Sequence, residues 1–328
     1  MLLIFNKDGG DIMRKFEINL NDAGQRMDKF LMKSVPLLPK NLMYKYLRLK
    51  RIKLNGKRCE ISTKLNVGDI IELYINDEFF ETDHSQPDFL KAPSKLDIIY
   101  EDDNILLVDK KCGLVVHEDE SNSPDTLINR IQHYLYDKGE YNPDNELSFA
   151  PSLCNRIDRN TCGIVICAKN AESLRVLNQK IKDRELSKKY LCITYGCPKP
   201  ESATVTAYLE KDESTKTVRI LDKKTADNKT IITKYDVLKK NGELALVEVD
   251  LITGRTHQIR AHMAYLGYPL LGDGKYGINK VNRAYNIKTQ ALCSYKLTFD
   301  FTTDASILNY LNRKSFEIHD IWFIKEFF

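Results

Sequence analysis

The chain has 328 residues, 42% of them apolar and 29% charged, with 50 basic side chains against 46 acidic ones. That apolar share excludes a disordered chain, and the length suits about two domains. No apolar run approaches the ~18 residues that a membrane-spanning helix needs, and Met1–Phe5 is too short for a signal-peptide core before Asn6-Lys7-Asp8. Met13 is an alternative start, and a cytoplasmic protein without membrane contact is expected.

The net charge of +4 is unevenly spread. Residues 1–80 carry 15 basic and 10 acidic side chains, whereas 81–328 carry 35 and 36. Between Lys29 and Cys59 there are ten Lys or Arg and no acid. Such a run suits a solvated face or a nucleic-acid surface equally well, so the elements around it decide. Arg26-Met27-Asp28-Lys29-Phe30-Leu31 starts a short helix that Pro36 must end or precede. A second helix is expected from Asn41 to Leu49, with Leu42, Tyr46 and Leu49 toward a core and Lys45, Arg48 and Lys50 largely off that stripe. Arg51 to Arg58 reads as a strand with an Asn55-Gly56 hairpin turn. Two helices and a hairpin rimmed by Lys45, Arg48, Lys50, Arg51, Lys53, Lys57 and Arg58 suit phosphate contacts better than base reading. Arg26-Met27-Asp28, Leu54-Asn55-Gly56 and Val67-Gly68-Asp69, in that order, resemble the S-four RNA-binding domain. The resemblance implies a small α/β RNA-binding domain over residues 13–76. Residues 77–95, with Glu78, Glu81, Asp83, Pro87, Asp88 and Pro93, lack periodicity and read as a linker.

From residue 96 to 328 strand-like runs dominate. Ile98–Tyr100 and Ile105–Asp109 come first, then Gly163–Ala168, then a helix capped by Asn170 with Leu174, Leu177 and Ile181 on one face. Lys189–Tyr195, Ile231–Leu238 and Ala245–Ile252 are further strands. Helices interrupt them irregularly, which predicts an α+β domain on a mixed, largely antiparallel sheet. No Gly-rich phosphate loop occurs, and no organic cofactor is called for. Eight cysteines without Cys-x-x-Cys spacing read as free thiols. His257 and His262, five apart, would stand about 140° from each other on a helix, so no metal is implied.

Three polar segments make poor sense as ordinary turns. In Asn155-Arg156-Ile157-Asp158-Arg159-Asn160-Thr161-Cys162-Gly163, the carboxylate of Asp158 lies between two arginines, which favour its ionised form as nucleophile or base; a loop ion pair is the plainer alternative. Lys188-Lys189-Tyr190 opens a strand. Gly254-Arg255-Thr256-His257-Gln258-Ile259-Arg260-Ala261-His262 has helix character, with Ile259, Met263 and Leu266 toward a core, Gly267 as C-cap, and Thr256 and Arg260 on another face. Arg255, His257 and Arg260 together would be costly to bury without anionic partners.

Together these segments resemble the RluA-type pseudouridine synthase family. Gly267-Tyr268-Pro269-Leu270-Leu271-Gly272-Asp273-Gly274-Lys275-Tyr276-Gly277 and Lys110-Lys111-Cys112-Gly113-Leu114-Val115-Val116-His117 extend the match over roughly 96–328. The resemblance implies cofactor-free isomerisation of uridine to pseudouridine in RNA, with Asp158 as the catalytic carboxylate. It further implies Arg260 paired to Asp158, Tyr190 stacked on the uracil and Arg156 in the space of the flipped base or on phosphate. Leu292 becomes the apolar wall of the substrate pocket. Asn155, Cys162 and Lys111 depart from the family's usual His, Ser and Pro. An active, monomeric enzyme is expected, with large-subunit ribosomal RNA as favoured partner and transfer RNA second. The alternatives are a catalytically silent RNA-binding or ribosome-assembly protein, and a metal-dependent nuclease, for which clustered carboxylates are missing.

Overall fold

The computed structural model describes residues 13–80, 87–118, 123–212 and 214–328; Met1–Phe5 and the acids Glu81 and Asp83 lie outside them. Chain order runs β1 Met13–Glu17, α1 Met27–Ser34, α2 Lys40–Arg48, β2 Ile52–Leu54, β3 Lys57–Arg58 and β4 Ile70–Tyr74. The four strands form one antiparallel sheet in the order β1-β4-β2-β3. Met27, Phe30 and Leu31 of α1 and Met43, Tyr46 and Leu47 of α2 pack on Ile52, Ile71 and Leu73. The expected apolar stripe of α2 is thereby corrected. The helix stops at Arg48, and Leu49, as its C-cap, is 57% exposed. Asn55 and Gly56 both take positive φ (52° and 72°), as a two-residue hairpin turn requires. The Asn55 amide donates to Asp69 (2.8 Å) and its carbonyl accepts from Ile70 N–H (2.8 Å), so the turn is tied to the start of β4.

The stretch read as a linker is in part packed. It holds single 3₁₀ turns at Asp77–Phe80 and Asp88–Lys91. Phe89 is buried against Tyr136 and Tyr141 because its ring is worth more in that core than in water.

The second unit comprises β5 Ile98–Glu101, β6 Ile105–Lys110, α3 Leu127–Asp137, β7 Ser152–Leu153, β8 Cys162–Ala168, α4 Ala171–Lys182, β9 Leu186–Tyr195, β10 Ser202–Asp212, β11 Thr217–Leu221, β12 Lys229–Asn241, β13 Leu244–Leu251, α5 Gln258–Tyr265, α6 Asn279–Ala284, β14 Leu292–Phe299, β15 Ser315–Glu317 and α7 Trp322–Phe327. Its sheet runs β11-β10-β12-β13-β9-β14-β8-β6-β5, with β7 beside β8 and β15 beside β14. It is mixed but largely antiparallel; β14 and β8 are parallel neighbours. Strand β8 is buried along its whole length, as its unbroken apolar sequence demands. Val165 and Cys167 join Leu127 and Ile131 of α3 in one cluster, while Ile164 and Ile166 join Leu177 of α4 in another. Among the described residues no helix is long and apolar enough to cross a membrane.

Two local features bring the conspicuous segments together. Gly163 has φ +114°, and a Cβ there would stand 2.3 Å from the Ser294 carbonyl oxygen, so only glycine lets β8 approach β14. Helix α5 begins at Gln258, later than expected. Thr256 therefore precedes the helix rather than sharing a face with Arg260, and His257 is its N-cap in the left-handed conformation, φ 53°. The two units meet where Asn21 bonds Glu146 (2.9 Å), Ser148 bonds Asp22 (2.6 Å) and Arg175 donates to the Ala23 carbonyl (3.0 Å).

Candidate active site

The loop carrying Asp158 is fastened before it enters β8. The Asn155 side chain accepts from Ile166 N–H (2.8 Å), so the residue standing in place of histidine secures the loop to the sheet. The Thr161 hydroxyl accepts from the buried Gln290 amide (2.7 Å). The Lys110 ammonium, 1% exposed, donates to the carbonyls of Lys111, Leu114 and Arg159 at 2.8–2.9 Å. Burial pulls its pKa down to about 8, against the attraction of Asp158 and other neighbours. Cys162, at the family's serine position, donates its S–H to the Leu292 carbonyl (3.5 Å). Lys111 pairs with Asp109 (2.6 Å) and Asp97 (3.3 Å) at the surface.

Asp158 keeps 26% of its side chain exposed, and Arg260 Nη1 donates to its Oδ2 at 2.7 Å. The other edge of the guanidinium grips Asp273 through Nε (2.6 Å) and Nη2 (2.9 Å). Burial works against both charges, yet mutual pairing prevails: Asp273 stays below the usual carboxylate range and Arg260 above its ordinary value. His257 Nε2 lies 3.8 Å from Asp158 Oδ2. The two sequence neighbours expected to bias Asp158 do not pair with it. Arg156 is exposed, and Arg159 Nε turns to the Gly113 carbonyl (3.0 Å). A charge on the neighbouring loop residue is free to bond the nearest backbone, whereas a helix 102 positions later can aim one rigidly.

Tyr190 (6% exposed) and Leu292 (4%) lie on adjacent strands β9 and β14 and share one apolar cluster with Ile157 and Ile259. Burial pushes the Tyr190 phenol up to about 12, with Asp158 adding to the rise and Ser294 opposing it. A neutral aromatic ring and an apolar side chain thus share one cluster close to an arginine-held, partly exposed carboxylate. This arrangement can take a planar uncharged ring beside an anion. Among the described residues no three His, Cys, Asp or Glu side chains gather as metal ligands would.

Sequence reasoning missed Asp273 and Tyr276 as partners of this site, and Lys110 and Gln290 as its fasteners; His257 was marked only as one of three groups in need of an anion. Gly272-Asp273 and Tyr276-Gly277 were visible as a motif, but their contacts with α5 arise only in three dimensions. Away from Asp158, Lys45, Arg48, Lys50, Arg51, Lys57 and Arg58 are exposed and Lys53 is half-buried, its ammonium 4.9 Å from the Tyr74 ring centroid. None of these seven is ion-paired among the described residues.

A family model described as RNA pseudouridylate synthase matches residues 104–265. An uncharacterized RNA pseudouridine synthase of Mycoplasma genitalium is 35% identical over 88% of this chain and 90% of its own length. A protein of Borreliella burgdorferi named ribosomal large subunit pseudouridine synthase D is 34% identical over 76% of this chain and 74% of its own. The solved structure of human RNA pseudouridylate synthase domain containing 4 superposes with a TM-score of 0.55 at 21% identity, covering 70% of this chain and 90% of that one, which is a likeness of fold.

Proposed function

Because this chain belongs to the RluA-type RNA pseudouridine synthase family and is accordingly an isomerase, we propose that it converts particular uridines of large-subunit ribosomal RNA to pseudouridine, with Asp158 as its catalytic carboxylate. The observation that carries this reading is the 2.7 Å contact from Arg260 to Asp158, which holds the carboxylate oriented and leaves it partly exposed. Isomerisation breaks the N1–C1′ bond and joins C5 to C1′. The proton lost from C5 balances the one gained at N1, so no oxidant or external group is consumed. Attack on the ribose, attack on the base and abstraction of a ribose proton all need an ionised carboxylate at the glycosidic bond. The target base must first leave its stack. Tyr190 then offers a π-face, Leu292 the wall beneath the ring, and Arg156 an exposed cation for a phosphate or the vacated space.

Residues 13–76 serve in this reading as an S-four-type RNA-binding arm, whose seven cations meet the phosphate backbone. Large-subunit ribosomal RNA is favoured by the name of the Borreliella relative, with transfer RNA second. The test compares wild type with Asp158→Asn on RNA lacking these modifications, with pseudouridines mapped chemically. The expected outcome is a set of wild-type positions that the variant forms at least ~10³-fold more slowly, at unchanged melting temperature. Identical maps from the two proteins would overturn the assignment.

A further inference from the structure

The residues from Asp273 to Tyr276 form one turn, held from both sides. Asp273 Oδ1 accepts the backbone N–H groups of Lys275 (2.8 Å) and Tyr276 (3.1 Å). The Asp273 carbonyl accepts from Gly277 N–H (3.1 Å) and from the Asn282 amide (3.1 Å). A Cβ at Gly277 would stand 2.3 Å from that carbonyl, so the turn excludes any larger residue there.

Two arms leave this turn and end on the same oxygen. The first runs from the buried Asp273 carboxylate through both edges of Arg260 to Asp158 Oδ2. The second runs through Tyr276. Its hydroxyl oxygen accepts from Val218 N–H (2.9 Å) and lies 2.9 Å from His257 Nδ1. The hydroxyl accepts from the strand and still has its own proton to give, and His257 Nδ1 is the acceptor in reach. With the phenol as donor, the imidazole carries its proton on Nε2, the nitrogen 3.8 Å from Asp158 Oδ2. At that separation the contact is electrostatic rather than a hydrogen bond. The arms touch each other, since the Arg260 guanidinium lies 5.3 Å from the Tyr276 ring centroid. His257 holds a left-handed backbone, φ 53°, that costs a non-glycine residue free energy and is kept where the surroundings over-determine it.

We propose that the Asp273–Tyr276 turn is the positioning element of the active site: Asp273 aims Arg260, and Tyr276 fixes His257 as its Nε2–H tautomer, so that one permanent cation and one neutral N–H dipole orient Asp158. This deepens the pseudouridine synthase reading and rests on it. The charged groups around the imidazole are Asp158 and Asp273 on one side of the balance and Arg260 and Lys275 on the other. Burial keeps the ring from taking a proton, holding its pKa below the ordinary value. Acidification would make it a second cation on Asp158, binding the carboxylate too firmly to react.

The experiment uses the full chain, with imidazole ¹⁵N spectra read first. Wild type is expected to show His257, assigned by its absence in His257→Gln, as the Nε2–H tautomer. Tyr276→Phe, which removes only the hydroxyl, is expected to give a tautomer mixture. A wild-type Nδ1–H tautomer, or a tautomer indifferent to Tyr276→Phe, overturns the inference whatever the activity. Kinetics on the RNA substrate follow. Tyr276→Phe should lower kcat about tenfold and Asp273→Asn about 100-fold, both at unchanged KM. The acid limb of kcat should move to higher pH in Tyr276→Phe. His257→Gln, which keeps a neutral donor at similar reach, should retain more activity than His257→Leu. A change confined to KM, or an acid limb that stays in place, counts against the positioning role. A wild type with the expected tautomer that forms no pseudouridine sinks the functional reading and leaves the geometry standing.

Discussion

The amino-terminal cations and the arginine beside Asp158 are the same residue types put to opposite uses. Around α2 and the β2–β3 hairpin, six of the seven Lys and Arg side chains named above are exposed, and none of the seven has an acidic partner among the described residues. At the candidate active site, Arg260 is buried and both of its edges are taken by carboxylates. An exposed, unpaired cation acts through long-range attraction that salt screens and that tolerates many sequences. A buried, bidentate one acts through direction, and its worth depends on partners that remain in place. The difference predicts that the two regions fail differently.

The largest effect belongs to the candidate active site. Arg260→Met should abolish turnover and cost about 3–5 kcal/mol of stability, because it strands the fully buried Asp273. The pH dependence supplies the sharper signature. In wild type the Asp273 pKa is depressed by Arg260, so its contribution is present above the usual carboxylate range and is lost as pH falls through it. Without the arginine, burial outweighs the Lys275 and Tyr276 N–H bonds and the sign reverses, so the variant gains stability as pH falls toward the ordinary carboxylate range. Denaturant midpoints at several pH values would show this, and parallel curves for the two proteins would break the account.

Next is the arm. Changing Lys45, Arg48, Lys57 and Arg58 together to Gln should leave the denaturation midpoint and kcat nearly unchanged while weakening RNA binding. The log–log dependence of affinity on salt should flatten by roughly 0.7–0.9 for each phosphate that is no longer neutralised. Filter-binding titrations across salt concentrations measure both. An unaltered slope removes the RNA-arm reading, and a drop in stability would mean that these cations are not the unpaired set they are taken for.

This contrast also explains what could be read from the sequence. Helices α1 and α2, the Asn55-Gly56 turn, β8 and the Asn170-capped α4 follow from local spacing, and the cationic arm needs only a count of charges. The order of motifs marked Asp158, Tyr190 and Arg260 as candidates. Local spacing failed wherever a distant neighbour decides. Leu49 fits a helical stripe yet lies past the end of its helix. Arg156 and Arg159 sit beside Asp158 in sequence and turn elsewhere. Phe89 stands among acids and prolines but is claimed by the core near α3. Asp273 and Tyr276 have no local signature beyond a turn; their meaning comes from Arg260 and His257, 13 and 19 positions away. Strands β10 and β11, which alternate between partly exposed and buried positions, have too little apolar character to stand out.

The smallest effect lies at the seam between the two regions, where a buried aspartate lacks what Asp273 has. Asp22 is also 0% exposed, but its Oδ1 accepts from the Ser148 hydroxyl (2.6 Å) and its Oδ2 has no partner among the described residues. Across the seam, Glu146 Oε2 is likewise unpartnered while its Oε1 takes the Asn21 amide. Burial raises the pKa of both, with Ser148, the Asn19 and Ser148 backbone and Lys33 opposing at Asp22, and Asn21 opposing but Asp22 adding at Glu146. A raised carboxyl pKa means that the folded state binds more protons than the unfolded one above the ordinary range, so the stability contribution falls as pH rises through the raised value. Asp22→Asn keeps the shape and removes the charge. It should therefore stabilise the protein at neutral pH by about 1 kcal/mol, a melting rise of roughly 2 °C, and the gain should shrink as pH falls to about 5. The same change at Asp273 destabilises. Two fully buried aspartates would then answer one substitution with opposite signs, and the arginine present at only one of them is the reason; destabilisation by Asp22→Asn at neutral pH would show that the seam holds a cation-like partner after all.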